Sequence, residues 1–175
     1  MNKNPYYPLF LNLRGESCLV FGGGKVAYRK VQALLRRGAR VTCISKEFCG
    51  PFKKNAGARL PLRLKHMRGS KINLNGARLV IAATSNRKFN ERVARLSRRK
   101  RIWVNVVDDP ELCDFTVPAV VERGPLQIAI STGGTSPLFA RRLREELEKV
   151  IHPSTGRMLE KIGKIRGKWV KKKNS

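Results

Sequence analysis

Short apolar runs recur along the first part of the chain, separated by polar or glycine-rich stretches. Four of them have the length and the β-branched or aromatic content that is typical of buried strands: residues 18–21, 39–44, 77–83 and 102–107. A fifth run, residues 60–65, alternates between apolar and polar positions and contains Pro61, which cannot donate a hydrogen bond to a neighbouring strand. We therefore expect this fifth run to be an edge strand.

Helical spacing separates these runs. Apolar residues recur every three or four positions over residues 25–37 and 87–99, which predicts two amphipathic helices. A shorter helix is expected over residues 46–58, although Gly50 and Pro51 would interrupt it. Strands that alternate with helices in this way predict an α/β fold, a mostly parallel sheet of Rossmann type with helices on both faces.

The alternation of strand and helix ends after residue 112. Two apolar runs, residues 115–121 and 126–130, are joined by a short turn, which predicts a β-hairpin. A helix follows, with Ser136 as its N-cap and an apolar stripe formed by Leu138, Leu143, Leu147 and Val150. The remaining residues mix apolar and basic positions, which fits a basic amphipathic helix or a frayed end. The sequence thus predicts a Rossmann domain over residues 1–112, a hairpin-and-helix segment over residues 113–150 and a basic helical tail over residues 151–175.

The first strand is followed at once by three glycines and a helix, the setting in which a glycine-rich turn binds a dinucleotide. The turn has the spacing G-x-G-x-x-A, with Gly22, Gly24 and Ala27 in the three positions. Gly22 permits the tight turn, Gly24 lets the backbone approach a pyrophosphate, and Ala27 allows the helix to pack on the strand. The free N–H groups of the first helical turn then face the phosphates, so we favour a nucleotide site over a plain strand-to-helix turn.

The end of the second strand bears on the choice between NAD and NADP. In NAD enzymes an acidic residue at this point often holds the ribose hydroxyls. Here the strand is followed by Lys46, which is basic, and by Glu47, which lies slightly late. Both cofactors therefore stay open on this feature.

The charge of the chain widens the range of partners. The sequence has 38 Lys and Arg residues against 12 Asp and Glu residues, a formal net charge of +26. Such a field attracts polyanions: nucleic acid, an anionic membrane surface or a small ligand with many carboxylates. No apolar run approaches the roughly 20 residues of a membrane span, and the N-terminus lacks the features of a signal peptide. Four scattered cysteines fit the reduced thiols of a cytoplasmic protein.

Few side chains are candidates for catalysis, since the sequence has two histidines and no Walker, zinc-protease or serine-hydrolase motif. Asp108 and Asp109 directly follow the strand over residues 102–107, and ligands bind beyond the carboxyl ends of parallel strands. A carboxylate there can accept a proton from a substrate or hold a metal ion, and an ordinary turn is the alternative interpretation. The second glycine-rich turn, residues 131–136, precedes a helix and offers hydroxyl and N–H groups to an anion, or simply caps the helix.

Three stretches of the chain contain four motifs, because the third stretch has two of them. The stretches are CLVFGGGKVAYRKVQALLRRGARVT, LVIAATSNRKFN and VNVVDDPELCDFTVPAVVERGPLQIAISTGGTSPLFARRLREELE. In these motifs the chain resembles the precorrin-2 dehydrogenase family, the N-terminal part of siroheme synthase, some members of which are also sirohydrochlorin ferrochelatases. The resemblance covers roughly residues 7–148, which makes it far more specific than the glycine turn alone.

The resemblance implies NAD-dependent oxidation of precorrin-2 to sirohydrochlorin on the way to sirohaem, by a homodimer paired through the segment after the Rossmann domain. It implies Asp108 as general base, and as a metal contact where a family member inserts ferrous iron as a second substrate. It implies NAD contacts at Gly22, Gly24, Lys25, Val26, Lys46, Glu47 and Thr84. It places the tetrapyrrole near Asn105, Ser131, Thr132, Gly133 and Gly134.

The implied substrate agrees with the charge of the chain. Precorrin-2 carries acetate and propionate groups around its rim, and Arg side chains bind carboxylates in bidentate fashion. Two alternatives stay open: a Rossmann-like binding module whose basic surface holds nucleic acid, and a tetrapyrrole carrier without redox chemistry. Nucleic acid is the less favoured partner, because the sequence has no recognition-helix signature and no strands with interleaved aromatic residues.

Overall fold

A computed structural model describes residues 5–54, 61–67, 69 and 71–173. The chain divides into two compact units, one over Tyr7–Thr116 and one that contains Val117 and the residues after it.

The first unit alternates strands and helices. Its strands are β1 (Ser17–Phe21), β2 (Arg40–Ser45), β3 (Leu62–His66), β4 (Leu79–Ala82) and β5 (Trp103–Val106). Its α-helices are α1 (Lys25–Arg36), α2 (Gly50–Lys54) and α3 (Arg87–Arg99), and a 3-10 turn spans Pro110–Leu112. Asn86 caps α3, because its side-chain oxygen accepts a hydrogen bond of 2.9 Å from the Phe89 N–H group.

The five strands form one sheet in the order β3-β2-β1-β4-β5, and every neighbouring pair is parallel. Alternate residues of β1 point to opposite faces: Cys18 and Val20 pack in a cluster with α1 and α2, whereas Leu19 and Phe21 pack in a cluster with α3. The predicted Rossmann-type sheet with helices on both faces is confirmed. Because all strands run in one direction, their carboxyl ends lie along the same edge.

The helix expected over residues 46–58 was wrong at its start. It begins at Gly50, and Pro51 lies in its first turn, where a missing N–H group costs nothing. The residues before it form the connection from β2, in which the Cys49 N–H group donates to Gly23 O at 2.8 Å. Residues 55–58 lie outside the described residues.

The second unit begins with an antiparallel hairpin of β6 (Ala119–Arg123) and β7 (Leu126–Ile130) and continues with α4 (Pro137–Val150) and α5 (Ser154–Lys173). The strand expected over residues 115–121 was wrong at both ends. It starts only at Ala119, because Phe115 packs against the core of the first unit, and it runs on through Arg123 to the turn at Gly124.

The hairpin and the two helices of the second unit are joined by close backbone contacts. The Arg123 guanidinium donates at 2.8 Å to Ile151 O and at 2.8 Å to Glu148 O, so it satisfies carbonyl groups at the end of α4. Gly156, in the first turns of α5, lies directly on the hairpin turn, and a Cβ added there would be 2.6 Å from the Arg123 carbonyl. Gly163, further along the same helix, has open space around it.

Several apolar side chains of α4 and α5 are exposed in the part of the chain that the structure describes. Leu138, Leu143 and Val150 of the predicted stripe are 60%, 38% and 80% exposed, and Ala140 is the one α4 residue that is buried. Met158, Ile162 and Ile165 of α5 are also exposed. Among the helices that the structure describes, none is long and apolar enough to cross a bilayer.

The two α5 glycines provide a matched test of this packing. Gly156→Ala should lower the free energy of unfolding by about 1–3 kcal/mol, because the new methyl group must displace backbone atoms of the hairpin turn. Gly163→Ala should raise it by up to about 1 kcal/mol, because only helix propensity changes there. Urea denaturation followed by circular dichroism measures both. Equal shifts for the two variants would contradict the packing of α5 on the hairpin.

Candidate active site

A cleft of about 1360 Å³ opens in the first unit at the carboxyl ends of β1, β2 and β4. It is lined by residues 22–26, 45–49 and 83–86, together with Met67, Gly69 and Phe89. The cleft brings together all seven residues that were predicted to contact a dinucleotide: Gly22, Gly24, Lys25, Val26, Lys46, Glu47 and Thr84.

The first and third glycines of the turn differ in what surrounds them. Gly22 has a φ angle of 126°, and a Cβ there would overlap the backbone carbonyl of Ala83 at the end of β4. Gly24 has no heavy atom within 4 Å of an added Cβ. The missing side chain of Gly22 therefore lets two backbones meet inside the protein, whereas that of Gly24 leaves space open beside the helix.

Gly23 was not among the predicted site residues, although it is as constrained as Gly22. A Cβ on Gly23 would overlap the carbonyl of Glu47, and Gly23 O accepts the Cys49 N–H group at 2.8 Å. The available signal was that the middle position of the triplet is also a glycine. A glycine is needed at position 23 because the connection between β2 and α2 passes directly over the turn.

The start of α1 is suited to an anion. Gly24 is the N-cap and has no side chain to bond the first N–H groups, and the first turn contains no acidic residue. The helix dipole and the free N–H groups at such a position favour phosphate, and Lys25 is exposed beside them. The open space at Gly24 and these unused donors fit the pyrophosphate of a dinucleotide.

The end of β2 offers partners to either nicotinamide dinucleotide. The strand ends at Ser45, one residue later than predicted, and Lys46 and Glu47 follow as exposed side chains. Glu47 can accept a bond from a ribose hydroxyl, whereas Ser45 and Lys46 suit a 2′-phosphate. Lys46 O also contacts Nδ1 of His66 at 3.2 Å, which ties this loop to β3.

Thr84 and Asn90 hold the wall of the cleft that follows β4. The Thr84 hydroxyl donates to Oδ1 of Asn90 at 2.6 Å, and Nδ2 of Asn90 donates back to Thr84 O at 2.9 Å. Asn90 is 5% exposed, so this pair fixes the turn from inside. The sequence analysis missed Asn90. The signal was a polar residue on the inner face of an amphipathic helix.

Asp108 lies at the same edge of the sheet but does not line the cleft. The Val107 N–H group donates to Ala82 O at 2.9 Å, so the end of β5 is next to β4, whose continuation forms the cleft wall. Asp108 is exposed and has a left-handed φ angle of 62°. Its neighbour Asp109 is only 18% exposed at the side chain and lies 3.4 Å from Arg87 in an ion pair. The two aspartates therefore differ: Asp109 is partly buried and paired with Arg87 of α3, whereas Asp108 is exposed.

Lys30 of α1 is a half-buried charged group that was not predicted from the sequence. Burial lowers the pKa of the Lys30 ammonium and Arg29 lowers it further, while Cys113 and Asp108 act in the opposite direction. Lys30 is thus a half-buried cation within electrostatic range of the carboxylate that follows β5.

The residues predicted near a tetrapyrrole are divided between the two units. Asn105 is 8% exposed, and its amide donates to Phe115 O at 2.9 Å within the first unit. The turn at residues 131–134 belongs to the second unit, where Ser131 Oγ accepts the Gly133 N–H group at 3.2 Å and Thr132 Oγ1 accepts that of Ser136 at 3.1 Å. This turn is a hydrogen-bonded entry to α4, and its role in substrate binding stays a prediction.

Comparison with known proteins agrees with the geometry of the cleft. The family model described as putative NAD(P)-binding matches residues 9–119, and the model described as sirohaem biosynthesis protein central matches residues 123–149. The chain belongs to the putative NAD(P)-binding family that includes the N-terminal part of siroheme synthase. Membership of this family agrees with the resemblance in the sequence motifs.

Several siroheme synthases are similar to this chain in sequence. The siroheme synthase of Methylobacillus flagellatus is 44% identical, over 86% of this chain and 32% of the relative's length. The siroheme synthase of Vesicomyosocius okutanii is 38% identical, over 92% of this chain and 34% of the relative's length. The chain thus spans about one third of the curated relatives it matches. A solved structure of SirC, a precorrin-2 dehydrogenase, is 28% identical and has a TM-score of 0.75 over 89% of this chain and 76% of its own.

Gly24→Ala tests whether the glycine turn before α1 binds the dinucleotide. The added methyl group meets no protein atom but occupies the space for the pyrophosphate, so NAD or NADP affinity should fall about tenfold or more, ~1.4 kcal/mol or more. The melting temperature should not fall, and Gly163→Ala serves as a matched control with unchanged affinity. Calorimetric titration with both cofactors measures the effect. Full affinity in Gly24→Ala would show that the dinucleotide binds elsewhere.

Proposed function

We propose that this chain oxidises precorrin-2 to sirohydrochlorin in sirohaem biosynthesis, with NAD as the hydride acceptor. The observation that carries the proposal is the cleft at the start of α1, in which all seven predicted cofactor residues meet. The siroheme synthase relatives and the likeness to a precorrin-2 dehydrogenase support the choice of substrate.

In this proposal the dinucleotide, when bound, supplies the acceptor for a hydride. The N–H groups at the start of α1 and the Lys25 ammonium hold its pyrophosphate, and the absence of a Cβ at Gly24 permits the close approach. Ser45, Lys46 and Glu47 hold the ribose beyond the end of β2. These groups orient the cofactor against the strand ends, which is the contribution that a protein makes to hydride transfer.

Asp108 is the proposed general base. Oxidation removes a hydride and a proton from adjacent positions of the macrocycle, and the carboxylate of Asp108 takes the proton. Its exposure lets it reach a bound substrate. Asp109 is less suited to this role because it is paired with Arg87.

The proposed substrate is a compact polyanion, which suits a chain with a net charge of +26. We place one of its carboxylates at the turn formed by Ser131, Thr132, Gly133 and Gly134, where the Ser131 and Thr132 hydroxyl groups have protons to donate. Asn105 lies two residues after the start of β5, and in this proposal it supports the substrate side of the Asp108 turn.

Insertion of ferrous iron into sirohydrochlorin is a second step that the same site could perform. Asp108 is the side chain proposed to contact the incoming metal, and the ring nitrogens of the macrocycle supply its other ligands. The residues that the structure describes contain no group of three or more His, Cys, Asp or Glu side chains able to hold a metal ion. In this proposed step the ferrous ion is a substrate.

A homodimer is also part of the proposal. Seven large apolar residues of α4 and α5 are exposed: Leu138, Phe139, Leu143, Val150, Met158, Ile162 and Ile165. A second copy of the chain would cover them.

Asp108→Asn tests the proposed base. It should lower kcat by about 10²–10⁴-fold, because the amide cannot accept the proton, and it should leave the dinucleotide affinity nearly unchanged. Anaerobic mixing with precorrin-2 and NAD, followed by NADH absorbance, measures kcat. Glu111→Gln, an exposed change three residues away, is the matched control and should keep its activity. Normal turnover in Asp108→Asn would remove this residue from the mechanism.

Phe139→Asp tests the homodimer. Phe139 is 59% exposed, so a charge there does little to the isolated chain but opposes burial against a second copy. Light scattering after size exclusion should give a dimer for the native chain and a monomer for the variant, while Arg142→Asp should stay dimeric. A monomeric native chain, or a dimeric Phe139→Asp, would rule out this interface.

A further inference from the structure

The strand β5 is an edge of the sheet, and side chains satisfy N–H groups on its open side. The Val104 N–H group donates to the Asp114 carboxylate at 3.1 Å, and the Val106 N–H group donates to the Cys113 sulfur at 3.1 Å. Asp114 is held in turn by Arg98, whose Nε lies 3.0 Å from Oδ1. The chain after the 3-10 turn therefore folds back along β5 and closes its edge.

Cys113 is the centre of this returning segment. Its sulfur accepts from Val106 N and lies 3.4 Å from the amide nitrogen of Asn105. Its S–H group can donate to Val106 O at 3.1 Å or to Asp109 O at 3.3 Å. Burial raises the pKa of the Cys113 thiol, so the sulfur keeps the proton that these bonds need. One side chain thus contacts both ends of the turn over residues 106–109.

Asp108 occupies the middle of that turn in a left-handed conformation, with a φ angle of 62°. A residue other than glycine adopts this conformation at a cost, so the surrounding contacts must hold it there. The Asp109 N–H group lies 3.4 Å from Val106 O, which is a weak bond across the turn. The contacts of the Cys113 sulfur are the additional link between the two ends.

We infer that Cys113 is a positioning residue for Asp108: its sulfur bridges Val106 and Asp109 and thereby sets where the Asp108 carboxylate points. The inference rests on the proposed function, in which Asp108 is the general base. It assigns no proton transfer to the thiol. It also explains why a cysteine without a disulfide or a metal is placed against four polar backbone and amide atoms.

Three variants test this inference in the full-length chain. Cys113→Ala removes the bridge, Cys113→Ser keeps a donor and an acceptor, and Cys18→Ala removes the same sulfur from a fully buried site in β1. In Cys113→Ala, kcat should fall between about 10-fold and about 100-fold through misplacement of the base, with KM and dinucleotide affinity nearly unchanged. The pH profile of kcat should also shift, because the surroundings of Asp108 change. Cys113→Ser should recover most of kcat, and Cys18→Ala should keep both kcat and its pH profile.

Amide hydrogen exchange provides a readout that does not depend on activity. Exchange at the Val106 N–H group should be faster in Cys113→Ala than in the native chain, and unchanged in Cys18→Ala. If the native chain shows no turnover, the proposed function is contradicted. Faster exchange at the Val106 N–H group in Cys113→Ala would then still support the bridge formed by the Cys113 sulfur. Unchanged exchange, or faster exchange with normal kcat and pH profile, would overturn the inference. If Cys113→Ala does not fold, the inference is tested with Cys113→Ser. A loss of activity in Cys113→Ser as great as that in Asp108→Asn would exclude the bridge.

Discussion

The candidate site depends on the close approach of three backbones at the end of β1. Gly22 lies against the carbonyl of Ala83 after β4, and Gly23 lies against the carbonyl of Glu47 after β2. Side chains at either position would push the neighbouring strand ends away from the turn. With both absent, the walls of the cleft stand directly beside the start of α1, where N–H groups are free.

This constraint explains how one edge of a sheet collects separate chemical tasks. The parallel strands bring the proposed phosphate site after β1, the proposed ribose contacts after β2 and the proposed base after β5 to the same edge. A different local feature shapes the chain after each of three strands. These features are the missing side chains at the glycine turn after β1, the Thr84–Asn90 pair after β4, and the left-handed conformation of Asp108 after β5.

The sequence predicts the strands and helices well where apolar periodicity and capping residues agree. Ser136 caps α4 as expected, because its side-chain oxygen accepts a hydrogen bond from the Phe139 N–H group. The same reasoning fails at element ends, as with α2, because Pro51 fits a first helical turn as well as it interrupts a helix. Tertiary contacts decide such cases.

The residues that the family resemblance implies for the dinucleotide lie on the glycine turn and at strand ends, and they line one cleft. Their role in binding stays a prediction. Gly23, Lys30, Asn90 and Cys113 were missed because their roles arise from contacts between segments far apart in sequence. The exposed stripe of α4 shows a further limit, since an apolar pattern predicts burial but does not tell whether the same chain covers it.

The most direct test of this account is a crystal structure of the chain with bound NAD. The account predicts that the pyrophosphate lies within hydrogen-bonding distance of the backbone N–H groups of Lys25 and Val26, beside Gly24, and that the nicotinamide lies on the β4–β5 side of the cleft. A dinucleotide bound away from the glycine turn, or lying with its nicotinamide over β2, would contradict it.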